Sequence, residues 1–199
     1  MTIVYLMRHS EPLKSINFKS NDSLQLQNEK WPLTVEGEYL AQKKSKLQEL
    51  KDFNIIISSN YVRAVATAKY FTSDKIYIDA SFGERKFGIN SWNELPKDFE
   101  KKQFTDFNYK LKEGESLNEV MNREYISLMN VIDKFKDSKI LIAGHSTAFA
   151  SLLTKWCKIT KNGYEFNGSK FFNGIWNYCE TFKLEFDNNK SLVKIENIK

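Results

Sequence analysis

The chain holds two histidines, and each follows an apolar, β-branched run. Thr2-Ile3-Val4-Tyr5-Leu6-Met7 leads into Arg8-His9, and Lys139-Ile140-Leu141-Ile142-Ala143 leads into Gly144-His145. A third such run, Phe53 to Ser59, is followed closely by Arg63. A neutral imidazole can attack phosphorus, and a guanidinium beside it can hold phosphoryl oxygens in a fork. Four groups of this kind at one sheet edge would suit a dianionic tetrahedral ligand. A metal centre is the weaker reading, because two arginines would repel the ion and Asp/Glu partners are sparse. Taken singly, Arg-His at a strand end is equally a surface arginine beside a satisfied histidine. The repetition of the pattern is what points to a site.

The elements that must position these residues are legible as periodicity. Short apolar β-branched runs read as buried strands, here at about 2–7, 53–59, 76–78 and 139–143. Helical stripes separate them. One starts after Thr34, a plausible N-cap, and carries Leu40, Ala41, Leu47 and Leu50. A second holds Arg63, Ala64, Thr67, Ala68 and Phe71, with Ser58-Ser59-Asn60 before it as its cap. A third runs from Leu117 to Phe135 behind Ser116 and Glu119, which match a capping box. A fourth follows His145, with Phe149, Leu152, Leu153, Trp156 and Cys157 on one face. Strands alternating with helices imply right-handed crossovers and a three-layer α/β/α fold around a mostly parallel sheet. Ile175–Phe186 and Ser191–Ile198 flank a turn-rich Asp187-Asn188-Asn189-Lys190, which predicts a C-terminal antiparallel hairpin. Open sheets of this kind place ligands at the carboxyl edge, where both histidines fall.

Length and composition bound the rest. With 199 residues, 41% hydrophobic and 28% charged, the chain suits one globular domain over 1–199. A charged but aromatic stretch at about 93–113 reads as a helical insertion over the site, or as a minor aromatic core beneath a surface excursion. The net charge of +5 comes from scattered lysines, so it reads as a solvated surface with mild attraction for phosphate esters. It predicts neither a nucleic-acid stripe nor a membrane partner. No run approaches a membrane span and the N-terminus has no leader pattern. Cys157, on the helix face, and Cys179, in a strand pattern, read as reduced core thiols. A cytoplasmic protein is the expectation.

Six segments in order carry a resemblance. Arg8-His9-Ser10-Glu11 resembles the Arg-His-Gly signature of the histidine phosphatase superfamily, which includes the phosphoglycerate mutases. Leu33-Thr34-Val35-Glu36-Gly37 resembles its Leu-Thr-x-x-Gly, and Ser58-Ser59-Asn60-Tyr61-Val62-Arg63-Ala64-Val65-Ala66-Thr67-Ala68 its Ser-Ser-x-x-x-Arg-Ala-x-x-Thr-Ala. Glu84-Arg85-Lys86-Phe87-Gly88 is similar to the mutases' Glu-Arg-His-Tyr-Gly. Gly114-Glu115-Ser116 with Arg123, and Gly144-His145-Ser146, complete the set.

The resemblance implies a phosphohistidine on His9, kept neutral by the like charges of Arg8 and Arg63, with its other nitrogen donating to a backbone carbonyl. It implies that Arg8, Arg63 and His145 bind phosphoryl oxygens, that Glu84 is the general acid and base, and that no cofactor or metal is needed. Arg85 is a candidate contact for a substrate carboxylate, and Ser146 for phosphate. Glu115 and Arg123 read as structural. Ser10 stands where the family has Gly, which alters the loop's backbone freedom. The family's phosphate-contacting Asn is replaced by Ser15, with Asn17 two residues on. Glu11 is a polar site contact or a loop salt-bridge partner. The expected activity is hydrolysis of a small phosphorylated substrate, since the arginine-rich segment that the mutases carry before Gly-Glu-Ser is missing. Phosphoglycerate mutase-type transfer and non-catalytic phospho-ligand binding are the alternatives.

Overall fold

The computed structural model describes residues 1–14 and 22–199. It is a mixed α/β fold with two sheets. Nine strands are described: β1 (Thr2–Arg8), β2 (Ile55–Ser58), β3 (Ile76–Ile78), β4 (Lys139–Gly144), β5 (Lys158–Thr160), β6 (Gly163–Phe166), β7 (Ser169–Phe172), β8 (Thr181–Phe186) and β9 (Leu192–Ile198). The helices are α1 (Leu24–Lys30), α2 (Val35–Ser45), α3 (Val62–Ala68), α4 (Phe99–Thr105), α5 (Leu117–Lys134) and α6 (Ser146–Leu153).

The central sheet runs β3-β2-β4-β1-β8-β9. Its first four strands are parallel, and the β8–β9 hairpin adds antiparallel to β1. Alternation along β1 explains the layering. Val4 and Leu6 face a core shared with Leu128 and Ile132 of α5 and Phe149 and Leu152 of α6. Tyr5 and Met7 face the opposite core, which holds Ala68 of α3 and, from the turn before β2, Leu50. Each face thus buries the apolar stripe of its own helices.

Local signals behave as their chemistry requires. The Thr34 side chain accepts from Gly37 N at 2.9 Å and opens α2. Ser116 and Glu119 form a reciprocal capping box at α5. In contrast, α3 starts behind Tyr61 with no side-chain cap, and Ser59, two residues before, accepts from Tyr61 N at 3.4 Å.

Several expectations need correction. Only Phe99–Thr105 is α-helical within 93–113. The helix after His145 ends at Leu153, and Trp156 and Cys157 follow in turns whose amides bond back to Leu153 O. Residues 158–172 form a separate three-stranded antiparallel sheet, β5-β6-β7. The strand expected from Ile175 begins only at Thr181. Residues before it form a loop in which Cys179 has φ +55°, so this cysteine is not a strand residue. Both cysteines are free and buried, and burial pushes the Cys157 thiol up to about 12.

Candidate active site

The carboxyl ends of β1, β4 and β2 are level. Arg8 pairs with Gly144, and Ser58 with Ala143. His9 N continues the ladder to Gly144 O at 2.9 Å, and Ser59 N to Ala143 O at 2.9 Å. Adjacent strands β2 and β4 then send α3 and α6 to opposite faces. A crevice opens at that divergence, as open α/β sheets require.

The loop after β1 is fixed from three sides. Leu13 N donates to Pro32 O at 2.8 Å, and Thr34 N to Glu11 O at 3.0 Å. Ser10 N donates to Thr67 Oγ1 at 2.8 Å, and Ser10 Oγ to Gly37 O at 2.7 Å. Gly37 sits so close that a Cβ there would lie 2.4 Å from Glu11 O, which explains the glycine in the Leu-Thr-x-x-Gly segment. Ser10 does not have positive φ, so its backbone has no need of glycine. Its hydroxyl instead ties the loop to α2. The Glu11 carboxylate accepts from Thr34 Oγ1 at 3.3 Å and therefore acts within the loop.

Four of the predicted groups meet in the crevice. The His9 ring is buried, and its Nδ1 lies 2.6 Å from Ser10 O. A carbonyl can only accept, so Nδ1 carries the hydrogen and Nε2 presents a lone pair. Arg63 Nε donates to that Nε2 at 3.1 Å. Arg63 Nη2 lies 3.4 Å from His145 Nδ1, and Nη1 donates to Asn28 O at 2.6 Å. The His9 and His145 rings are 5.2 Å apart. His145 Nε2 pairs with Ser59 Oγ at 2.9 Å, and the Tyr61 ring packs edge-on to it at 4.4 Å. Arg8 lies over the Tyr178 ring at 4.5 Å and donates through Nη1 to Trp176 O.

Burial and charge act together here. Desolvation first, then the Arg63 guanidinium, holds both imidazoles well below the usual histidine range. Burial also lowers Arg63, to about 10, so it stays cationic at neutral pH. The result is a cluster of two neutral imidazoles and two guanidinium ions.

Arg8, His9 and Arg63 open onto a cavity of about 520 Å³, lined also by Glu84, Arg85 and Ser146, and further by Lys14, Trp31, Trp92 and Tyr178, whereas His145 is fully buried beside Arg63 and is not part of the lining. Glu84 is half-buried. Its backbone is held by Arg123, which donates to Glu84 O at 3.2 Å, to Ser81 O at 2.6 Å and to the Glu115 carboxylate at 2.8 Å. Glu115 also accepts from Lys86 N at 2.9 Å, so this pair scaffolds the 81–86 loop. Arg85 is 2% exposed and donates through Nη2 to Glu100 at 2.8 Å. Arg85, the candidate carboxylate contact, thus lines the cavity with its guanidinium already paired. Ser15 and Asn17 lie outside the described residues.

Sequence reasoning did not find Tyr178, Trp176, Asn28, Ser59 and Trp31. Ser59 carries a signal, since it lies beside a strand end, but the same position suits a helix cap. Tyr178 carried none, because its position depends on β8 docking beside β1. Among the described residues, no three His, Cys, Asp or Glu form a group able to hold a metal. No helix among them is long and apolar enough to cross a membrane.

The fold and this cluster define a phosphate-handling class. A family model of the histidine phosphatase superfamily (branch 1) matches residues 4–198. The chain belongs to that superfamily, and membership makes it a phosphatase-type enzyme.

Solved structures share the fold at low identity. A mycobacterial glucosyl-3-phosphoglycerate phosphatase in complex with VO3 is 16% identical, with 99% of this chain and 97% of that chain covered and a TM-score of 0.72. A mutant phosphoserine phosphatase from Entamoeba histolytica, solved with phosphoserine, is 17% identical over 98% and 97% of the two chains, with a TM-score of 0.67. The Bacillus stearothermophilus protein YhfR is 19% identical over 96% and 94%, at 0.67. No curated protein matches the sequence.

Proposed function

We propose that the protein is a metal-independent phosphomonoesterase acting on a small phosphorylated substrate through a phosphohistidine on His9. The observation that carries this reading is the state of His9. Its Nδ1–H is committed to Ser10 O, and its Nε2 lone pair faces Arg63 inside the cavity.

The chemistry runs in two balanced steps. His9 Nε2 attacks phosphorus while the ester P–O bond breaks, and the Glu84 carboxylic acid gives its proton to the leaving alkoxide. Water then attacks the phosphohistidine and Glu84 takes the water's proton. The P–N bond breaks, returning neutral His9 and inorganic phosphate. Arg8, Arg63 and His145 hold the phosphoryl oxygens, and Ser146, at the start of α6 on the same cavity, adds a hydroxyl. These donors are held before substrate arrives, and such preorganisation is usually the largest electrostatic contribution.

Hydrolysis is favoured over mutase-type transfer by Arg85. In the motif shared with the mutases Arg85 is the cation placed to hold a substrate carboxylate, and Glu100 already pairs with it. The test is phosphate release from benzyl phosphate in excess EDTA. The wild type should turn over and His9→Ala should not. Equal turnover by His9→Ala would overturn the proposal.

A further inference from the structure

The cavity has two ends of different chemistry. Arg8, His9 and Arg63 form the oxyanion end. Rings wall the other end and reach back to this one, with Tyr178 against Arg8 at 4.5 Å and Trp31 5.8 Å from the Arg63 guanidinium. Trp31 stacks on Trp92 with centroids 5.9 Å apart and 26° between planes, and Phe87 meets Trp92 edge-on at 5.2 Å. Trp31, Trp92, Phe87, Leu95 and Tyr178 all line the same space, and all are half-buried. Ring walls of this kind favour a planar partner that can stack or meet an edge.

Arg85 sets the polarity of that end. Its guanidinium lies 4.9 Å from the Phe87 centroid and 5.7 Å from that of Phe99. Glu100, whose side chain is 72% exposed, neutralises it. Yet Arg85 Nε and Nη1 have no hydrogen-bond partner among the described residues. Both atoms are shielded from solvent, with the guanidinium against the Phe87 and Phe99 rings, so they offer the cavity no donor. With the charge of Arg85 already matched, an uncharged substrate group suits this end better than a carboxylate, which Glu100 would repel.

We propose that the leaving group of the substrate is an uncharged aromatic one seated against the stacked Trp31–Trp92 pair, on the side that faces Tyr178, and that Glu100 sets this specificity by denying Arg85 to a substrate carboxylate. This rests on the phosphatase reading above.

The test compares three primary-alkyl phosphates, so that leaving-group chemistry stays nearly constant: benzyl phosphate, butyl phosphate and 3-phosphoglycerate. In the wild type, kcat/KM should be roughly tenfold higher for benzyl than for butyl phosphate, with 3-phosphoglycerate lowest. Trp92→Leu keeps apolar bulk and removes the ring, and should cut the benzyl-to-butyl ratio to about threefold or less. Glu100→Gln, at an exposed position, should raise kcat/KM for 3-phosphoglycerate relative to benzyl phosphate by roughly fivefold. Equal benzyl and butyl rates, a wild-type preference for 3-phosphoglycerate, or an unmoved ratio in Glu100→Gln would each overturn the inference and leave the phosphatase reading standing. No turnover of any of the three esters would overturn that reading as well.

Discussion

Arg63 is the residue whose loss should be felt most widely. It reaches His9 at 3.1 Å, His145 at 3.4 Å and Asn28 O at 2.6 Å through three different nitrogens. Arg63→Met keeps the stem and removes every donor. A preorganised donor of this type contributes about 2.7–4 kcal/mol in the transition state, or 10²–10³ in rate. Two of the three nitrogens point at the reacting centre, so kcat should fall by at least about 10² and by as much as about 10⁴. Stability should change far less. The variant leaves Asn28 O without its partner, at about 1–3 kcal/mol, but it also relieves a buried guanidinium of its desolvation cost. After burial, Arg63 is the largest influence holding the His9 pKa down, so the variant should move that pKa up towards its ordinary value. Steady-state phosphate release from benzyl phosphate reads the first effect, and ¹⁵N-detected imidazole titration reads the second. A folded Arg63→Met with less than about a fivefold loss of kcat, roughly 1 kcal/mol, would refute the reasoning.

Three further outcomes follow from the same geometry. In the wild type, neither imidazole should titrate near its ordinary value, since both are held well below it, and ¹⁵N shifts should show the His9 hydrogen on Nδ1; a midpoint near pH 6.5 would contradict this. Arg123→Met frees the backbone of the 81–86 loop, so kcat should fall roughly tenfold with KM little changed, and the protein should lose about 2–3 kcal/mol as Glu115 loses its partner; chemical denaturation and kinetics of the variant check both. Glu124 is wholly buried, both its oxygens have no hydrogen-bond partner among the described residues, and burial pushes its pKa well above the usual range. Its folded form therefore holds a proton that the unfolded chain gives up, so stability relative to Glu124→Gln should fall by about 1.4 kcal/mol per pH unit above about 4.5 until the folded carboxyl titrates. Parallel denaturation curves at pH 5, 6 and 7 measure the difference, and a constant difference would contradict it.

Much of the scaffold was readable because its causes are local. The apolar runs at 2–7 and 139–143 had to be buried strands, and the Ser116–Glu119 box is decided by four residues. The side-chain hydroxyl of Thr34 caps α2 for a similarly local reason. What escaped reading depends on tertiary placement. The strands at 158–172 are three or four residues each, too short for alternation to stand out from coil. Trp156 and Cys157 extend the apolar stripe of α6 but pack from turns after its last residue, so periodicity overran the helix. Tyr178 reaches Arg8 only because β8 pairs with β1 across the sheet. Arg85 was half readable. Its motif placed it at the site, while its partner, Glu100, comes from a helix that pattern could not orient.

The most direct measurement of the central claim is a rapid quench of the enzyme during turnover of ³²P-labelled benzyl phosphate, followed by peptide mapping. Label that is acid-labile, stable in alkali and located on His9 is the predicted result. An unlabelled protein with full hydrolytic turnover, or label on any other residue, would contradict it.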